Sequence, residues 1–294
     1  MKATQRTVCL DLAEPLRISR STMAARDAVW LTVEHAGLRG HGEAVTSVYY
    51  GLDADTLGRL LAAVAMNLLR FRDPESALDA LRAGELAGED IPPAVTAAVE
   101  AALLDLAGKR AGSPVHRLLG AATARVAATA RTIGITSPVR AAADAVLPRF
   151  AELGVEAVEQ PLAPGDPEAL AARSPLPVIA DEDAMSLQAA RRLAGRVHGV
   201  NAKLAKCGGV HAALRIAEAI EGSGTALMLG CLTAGSLGLA PAVHLVDRAR
   251  WADPDGHLLL AHDPWTGIGG TDGFVRASDL PGLGVRRSPG EEAA

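Results

Sequence analysis

The chain has 294 residues, 49% of them hydrophobic, and a formal charge of −5. That is enough apolar material for a large core, in two domains or in one barrel with an added layer, and with aromatics at 3% the core falls to Ala, Leu and Val. No dense Lys/Arg run supplies a nucleic-acid surface, no uninterrupted apolar stretch is long enough for a membrane span, and Met1–Leu12 holds no apolar run of the signal-peptide type.

Three cysteines, Cys9, Cys207 and Cys231, stand far apart without a CxxC pair, which argues against a zinc site. A reduced cytoplasm is the default compartment. In chain order, Val29–Val33 is a β-rich run, and Gly37–Glu43 holds the glycines of a turn between antiparallel strands. Leu57, Leu60, Leu61, Val64 and Leu68 recur at helical spacing, predicting an amphipathic helix over 54–71. Pro92-Pro93 opens a second helix, whose apolar face is Val95, Val99, Ala102, Leu103 and Leu106 and whose stop is Gly112.

After Gly120 strands and helices alternate. Strands are expected at 127–135, 155–160, 177–181, 197–204, 226–231 and 256–261. Helices are expected at 137–153, 167–172, 186–193, 211–220 and 237–248. Such βα alternation argues for parallel strands wrapped by helices. The count is low, because a closed (β/α) barrel uses about eight strands and about 250 residues. The fold class is therefore α/β, a shortened (β/α) barrel of about six strands. An α+β capping domain over 1–120 precedes the barrel at 121–294, with 276–294 returning to the cap or disordered.

Three expected strands end in polar residues: Glu159, Asp181 and Lys203. In a parallel barrel these ends meet at one face. Carboxylates on adjacent strands suit a hard cation such as Mg²⁺, and a lysine beside that cation can act as a base. Together they fit proton abstraction next to a carboxylate. Each also has a plainer reading: Glu159 as a strand-end surface group, Asp181 as a helix cap, Lys203 as a snorkelling lysine.

Leu104-Asp105-Leu106-Ala107-Gly108-Lys109, Glu159-Gln160-Pro161, Ala180-Asp181-Glu182 and Lys203-Leu204-Ala205-Lys206-Cys207-Gly208-Gly209 resemble the muconate-lactonising branch of the enolase superfamily. Asp253-Pro254-Asp255-Gly256 resembles the Asp-x-Asp of its dipeptide epimerases, where two carboxylates hold the substrate's α-ammonium. Its plainer reading is an acidic turn. The resemblance implies a cytoplasmic Mg²⁺-dependent isomerase that epimerises a dipeptide such as Ala-Glu through a metal-stabilised enolate. It implies Lys203 as acid/base, Glu159 and Asp181 as metal ligands, and Asp253 and Asp255 as the ammonium clamp. Thr132 falls on the first strand facing the substrate, and Arg20 in the capping loop. The partner is a small dipeptide, with neither nucleic acid nor membrane, and barrel enzymes with this cap are often homo-oligomers.

The resemblance also implies two elements that this chain lacks: a strand with a Lys-x-Lys base and a strand with a third acidic metal ligand. Lys2, Lys109, Lys203 and Lys206 are the only lysines. One fused helix, with Pro148 inside, stands where helix, strand, helix, strand and helix are expected. Four readings remain open: an active epimerase with a replacement base (Asp144 or His198 by residue type), an impaired relative that binds without completing turnover, a chain shortened from an epimerase parent, or a generic α/β binding protein.

Overall fold

The computed structural model describes residues 1–18, 22–88, 90–123, 126–130 and 143–291, without the side chains of 143–146. Arg20 and Thr132 lie outside the described residues, as does the side chain of Asp144.

The N-terminal part is a three-stranded antiparallel sheet, β1 (Lys2–Arg17), β2 (Thr22–His35) and β3 (Leu38–Val45), in sequence order. Helices α1 (Ala54–Leu68), α2 (Pro74–Arg82), α3 (Pro93–Ala111) and the short α4 (Val115–Leu118) come next. Helix α1 starts where Asp53 accepts the Thr56 N–H, and α3 stops at Gly112 in the left-handed conformation. Helix α3 is buried along nearly its whole circumference, with Val95, Ala102, Leu103 and Leu106 sealed from solvent. β3 lies so close to α3 that a Cβ at Gly40 or Gly42 would strike the carbonyl oxygens of Ala102 and Ala98.

The remainder contains β4 (Val126–Ala128), α5 (Ala143–Glu152, with Pro148 inside), β5 (Val158–Glu159), α6 (Pro167–Ala171), β6 (Val178–Ala180) and α7 (Leu187–Leu193). Then come β7 (Gly199–Asn201), α8 (Leu204–Cys207), α9 (Val210–Ile220), β8 (Ala226–Gly230), α10 (Ser236–Val243) and β9 (Trp251–Asp253). Short strands β10 (Trp265–Thr266), β11 (Phe274–Arg276) and β12 (Arg286–Arg287) close the chain. β5 to β9 form one five-stranded parallel sheet in sequence order, half of a barrel.

Two expectations are corrected. The last parallel strand is Trp251–Asp253, and the segment read as a strand at 256–261 begins as a 3₁₀ turn over Gly256–Leu259. The strand is only three residues long, too short for a period-2 signal, and Gly256 is wedged against the Leu232 carbonyl and Thr233. The segment expected as a strand at 127–135 is described at residues 126–130: Val126–Ala128 is the strand and pairs antiparallel with β11, and beyond it the Ala130 amide donates to the Ala252 carbonyl of β9 at 3.1 Å. Its remainder, from 131 onward, lies outside the described residues.

Three buried carboxylates tie the N-terminal part to the half-barrel and the C-terminal segment. Glu43 accepts the Trp30 indole N–H at 2.6 Å and the Gly235 amide at 2.8 Å. Glu100 accepts the His211 amide at 3.1 Å, at the first turn of α9. Asp105 accepts the amides of His41 and Leu283, each at 2.9 Å, and the Lys109 ammonium at 2.7 Å. Each satisfies backbone donors that would otherwise be buried without partners.

Candidate active site

In a parallel sheet all strand C-termini share one edge, so β5, β6 and β7 bring Glu159, Asp181 and Lys203 together. The Lys203 ammonium stands 2.8 Å from Asp181 Oδ2 and 3.3 Å from Glu159 Oε1. Burial works to lower its proton affinity, but the two carboxylates outweigh that and raise it. Burial works the opposite way on Asp181, and the two lysines prevail, holding its carboxyl below the usual range. The plainer readings fail for two of the three. Asp181 precedes a 3₁₀ turn without capping it through its side chain, and the Lys203 side chain is only 17% exposed.

Lys206, one turn after Lys203, has no role in the sequence-based expectations. Its side chain is 1% exposed, and its ammonium donates to Asp181 Oδ1 at 2.5 Å, to the Asp181 carbonyl at 2.8 Å and to the Asn201 carbonyl at 2.9 Å. Asn201, wholly buried, donates to Glu159 Oε1 at 2.6 Å and accepts the Gly230 amide at 2.8 Å. Gln160 has a left-handed backbone, φ 37°, directly after Glu159. Its side chain accepts the Asp181 amide at 2.9 Å and donates to Asp183 at 2.9 Å. That conformation is unfavourable for a non-glycine residue, and the surrounding hydrogen bonds hold it there. The only sequence signal for these three residues was their place inside or beside the quoted motifs.

Asp253 ends β9, and Asp255, 1% exposed, stands two residues later. Burial, then Asp255 and Glu159, pushes the Asp253 carboxyl up to about 7. The same burial, with Asp253 and Asp255 nearby, raises the Cys231 thiol. Glu159 and Asp253 border a cavity of about 670 Å³ that also reaches Thr129, Ile179 and Met228. Asp253 Oδ1 and Thr129 Oγ1 are buried there without a hydrogen-bond partner among the described residues. His198 is not with them. It precedes β7 at the opposite strand end, and its Nδ1 accepts the Val178 amide at 3.1 Å.

Glu159 and Asp181 are hard oxygen donors on neighbouring strands, and the lysine ammonium between them shows that they gather a cation. Mg²⁺ is held by one or two carboxylates with water and substrate oxygens, so the pair fits it. Among the described residues no group of three or more His, Cys, Asp or Glu is arranged to hold a metal ion. Residues 131–142 contain none of these types.

A half-barrel of parallel strands under an α+β cap, with carboxylates and a lysine on successive strand ends, defines an enolase-type architecture. Known proteins agree with it. Residues 2–120 match the mandelate racemase / muconate lactonizing enzyme N-terminal domain, and residues 136–290 match the enolase C-terminal domain-like family. The chain belongs to this family. It is 28% identical to the L-Ala-D/L-Glu epimerase of Bacteroides thetaiotaomicron, over 98% of this chain and 88% of that protein. That alignment runs over 341 positions, more than the 294 residues of this chain, so the relative has residues that are absent here. A dipeptide epimerase from Methylococcus capsulatus, solved with Mg and L-Arg-D-Lys, superposes with a TM-score of 0.84 at 27% identity, covering 97% of this chain and 98% of that one. A dipeptide epimerase from Enterococcus faecalis, solved with Mg and L-Leu-L-Tyr, shares the fold with a TM-score of 0.85 at 23% identity, covering 97% and 99%. Among the described residues, no helix is long and apolar enough to cross a membrane.

Proposed function

We propose that this chain binds a small dipeptide and exchanges its α-proton from one face, as an impaired relative of the dipeptide epimerases. The observation that carries this reading is the Lys203 ammonium between Asp181 and Glu159, at 2.8 and 3.3 Å. Glu159 and Asp181 would hold Mg²⁺, which when bound supplies positive charge against the substrate carboxylate. Lys203, whose proton the two carboxylates hold in this structure, would take the α-proton as its free amine once those carboxylates are otherwise engaged. Asp253 and Asp255 hold the substrate ammonium, a role suited to two acceptors of like charge in a buried site. Asn201, Gln160 and Lys206 position the carboxylates. Thr132 and Arg20 are proposed to face the substrate from the first strand and the capping loop.

Two-sided epimerisation needs a second base on the opposite face of the same carbon. Lys2 lies in β1 and Lys109 in α3, and Lys206 is fully engaged by Asp181 and Asn201. No further lysine exists to serve. That observation favours a second reading, a small-molecule and metal-binding relic without turnover.

Incubation of the purified chain with Mg²⁺ and Ala-Glu in D₂O separates these readings. Deuterium uptake at the α-carbon with retained configuration, followed by NMR and chiral chromatography, is the expected result. Binding without uptake indicates the relic. Formation of the epimer means that another group serves as the second base, and the one-sided reading then fails.

A further inference from the structure

Alternation along the cap sheet places a second polar site on its surface. Lys2, Glu34 and Arg39 lie opposite one another across β1, β2 and β3, and Thr4, Thr32 and His41 form the neighbouring row. Positions two apart on a strand share a face, so these six side chains make one floor. Over it, Trp265, Val285 and Arg287 form a wall, with Arg286 at the rim and Lys109 at one side, and the open pocket between them is about 570 Å³. None of its lining residues belongs to the Glu159–Asp181–Lys203 cluster.

The pocket is cationic on a chain whose formal charge is −5. Lys2, Arg39, Lys109, Arg286 and Arg287 face only Glu34 and Glu291 among the described lining residues. Arg39 is held by Glu34 at 3.1 Å and Lys109 by Asp105 at 2.7 Å. Lys2, Arg286 and Arg287 form no ion pair among the described residues, and Glu291 is the carboxylate that attracts Arg287 from the pocket's edge. The Arg287 guanidinium lies 4.1 Å from the Trp30 ring centre and 4.5 Å from that of Trp265, two cation–π contacts that hold it in place.

Two residues of the lining carry buried donors without an acceptor. Arg287 Nη1 and Trp265 Nε1 are both sealed from solvent without a hydrogen-bond partner among the described residues, and Trp265 is only 4% exposed. Unpaired buried N–H groups are uncommon and call for an acceptor. The hydroxyl of Thr4 adds a donor at the floor, whereas that of Thr32 is shared with His41 Nδ1 at 3.0 Å. His41, which burial and then Lys109, Arg287 and Arg39 push down to about 4, stays neutral at physiological pH and adds no charge.

We propose that this pocket binds a small oxyanion of the phosphate class. Guanidinium groups pair with the oxygens of such an anion, and the excess of cations over carboxylates in the lining supplies its counter-charge. The volume exceeds that of a bare phosphate, so an organic phosphate fits the same donors.

Titration of the full chain with inorganic phosphate and with glycerol phosphate tests this, against chloride at equal ionic strength. Binding is read by ³¹P line broadening and by the fluorescence of Trp30 and Trp265. Saturable binding of either phosphate, absent with chloride, is expected. Tighter binding of glycerol phosphate assigns an organic phosphate, and equal binding assigns the free anion. Arg286→Gln, on an exposed position at the rim, is expected to weaken binding about tenfold, as loss of a charge-assisted contact does. Arg287→Gln should weaken it further with an unchanged far-UV spectrum. Absence of saturation at tens of millimolar phosphate, or wild-type affinity in the Arg286→Gln protein, overturns the proposal.

Discussion

Lys206, whose side chain is 1% exposed, holds Asp181 by both the carboxylate and the backbone carbonyl of that residue. The lysine therefore fixes where the carboxylate points, while Lys203 takes the outer oxygen. Replacing Lys206 by Met keeps most of the volume and leaves the Asp181 charge with one partner fewer. Breaking a buried ion set in this way costs about 3–5 kcal/mol. Urea unfolding of Lys206→Met should show that loss, and a change under about 1 kcal/mol, the range of a solvated surface pair, would contradict the contact.

Asn201 controls Glu159 from the next strand but one, through a 2.6 Å bond. Asn201→Ala removes that bond and leaves the Gly230 amide without its acceptor. If Glu159 and Asp181 hold Mg²⁺, the variant should bind it about 10–100-fold more weakly, the usual effect of losing a residue that orients a ligand. Calorimetric titration with Mg²⁺ measures this. Equal affinity in the variant would detach Glu159 from the metal.

Backbone packing in the cap gives a pair of glycine predictions with opposite signs. At Gly42 a Cβ would strike the Ala98 carbonyl, so Gly42→Ala should cost about 1–3 kcal/mol through overpacking. At Gly58, inside α1, the nearest atom to an added Cβ is Gln5 Nε2 at 3.7 Å. Gly58→Ala should therefore gain about 0.5–1 kcal/mol from helix propensity. Thermal melting of the two variants decides both.

Acid should destabilise the fold through His244. Burial, with His116 nearby, pushes its pKa down to about 4 from 6.5, against an opposing contact with the Leu283 carbonyl. Its Nδ1 accepts the His116 amide at 3.1 Å, which a proton on that nitrogen would end. The folded-state value is the depressed one, so the contribution is complete above pH 6.5 and is lost as pH falls through 4. The loss is about 3 kcal/mol for a shift of this size. His41, also held near 4 by burial, adds a second contribution in the same direction. His244→Asn keeps an acceptor for the His116 amide and should flatten the fall in stability between pH 6.5 and 4. An unchanged slope would place the acid sensitivity elsewhere.

The strand ends were legible because Glu159, Asp181 and Lys203 are polar residues at the close of apolar runs, and a parallel sheet leaves such ends only one common edge. Helix α3 was legible from its periodic apolar positions and its glycine stop. The role of Lys206 was not, because its partner Asp181 lies 25 residues away and the contact depends on how two strands sit side by side. Glu43, Glu100 and Asp105 escaped for a stronger reason. Their barrel or C-terminal partners are backbone amides 192, 111 and 178 residues distant, and an amide leaves no mark in a sequence. The last parallel strand was misplaced because three residues carry too little alternation to outweigh the apolar run after them.

The three buried carboxylates of the N-terminal part also limit how this protein can be recombined. A cap grafted from a relative would meet the Gly235, His211 and Leu283 amides with whatever side chains it carried. Only a donor bringing hydrogen-bond acceptors to all three places would leave the seam without orphaned amides. Chimeras of this family should therefore succeed or fail by three acceptors, far more than by overall identity across the junction.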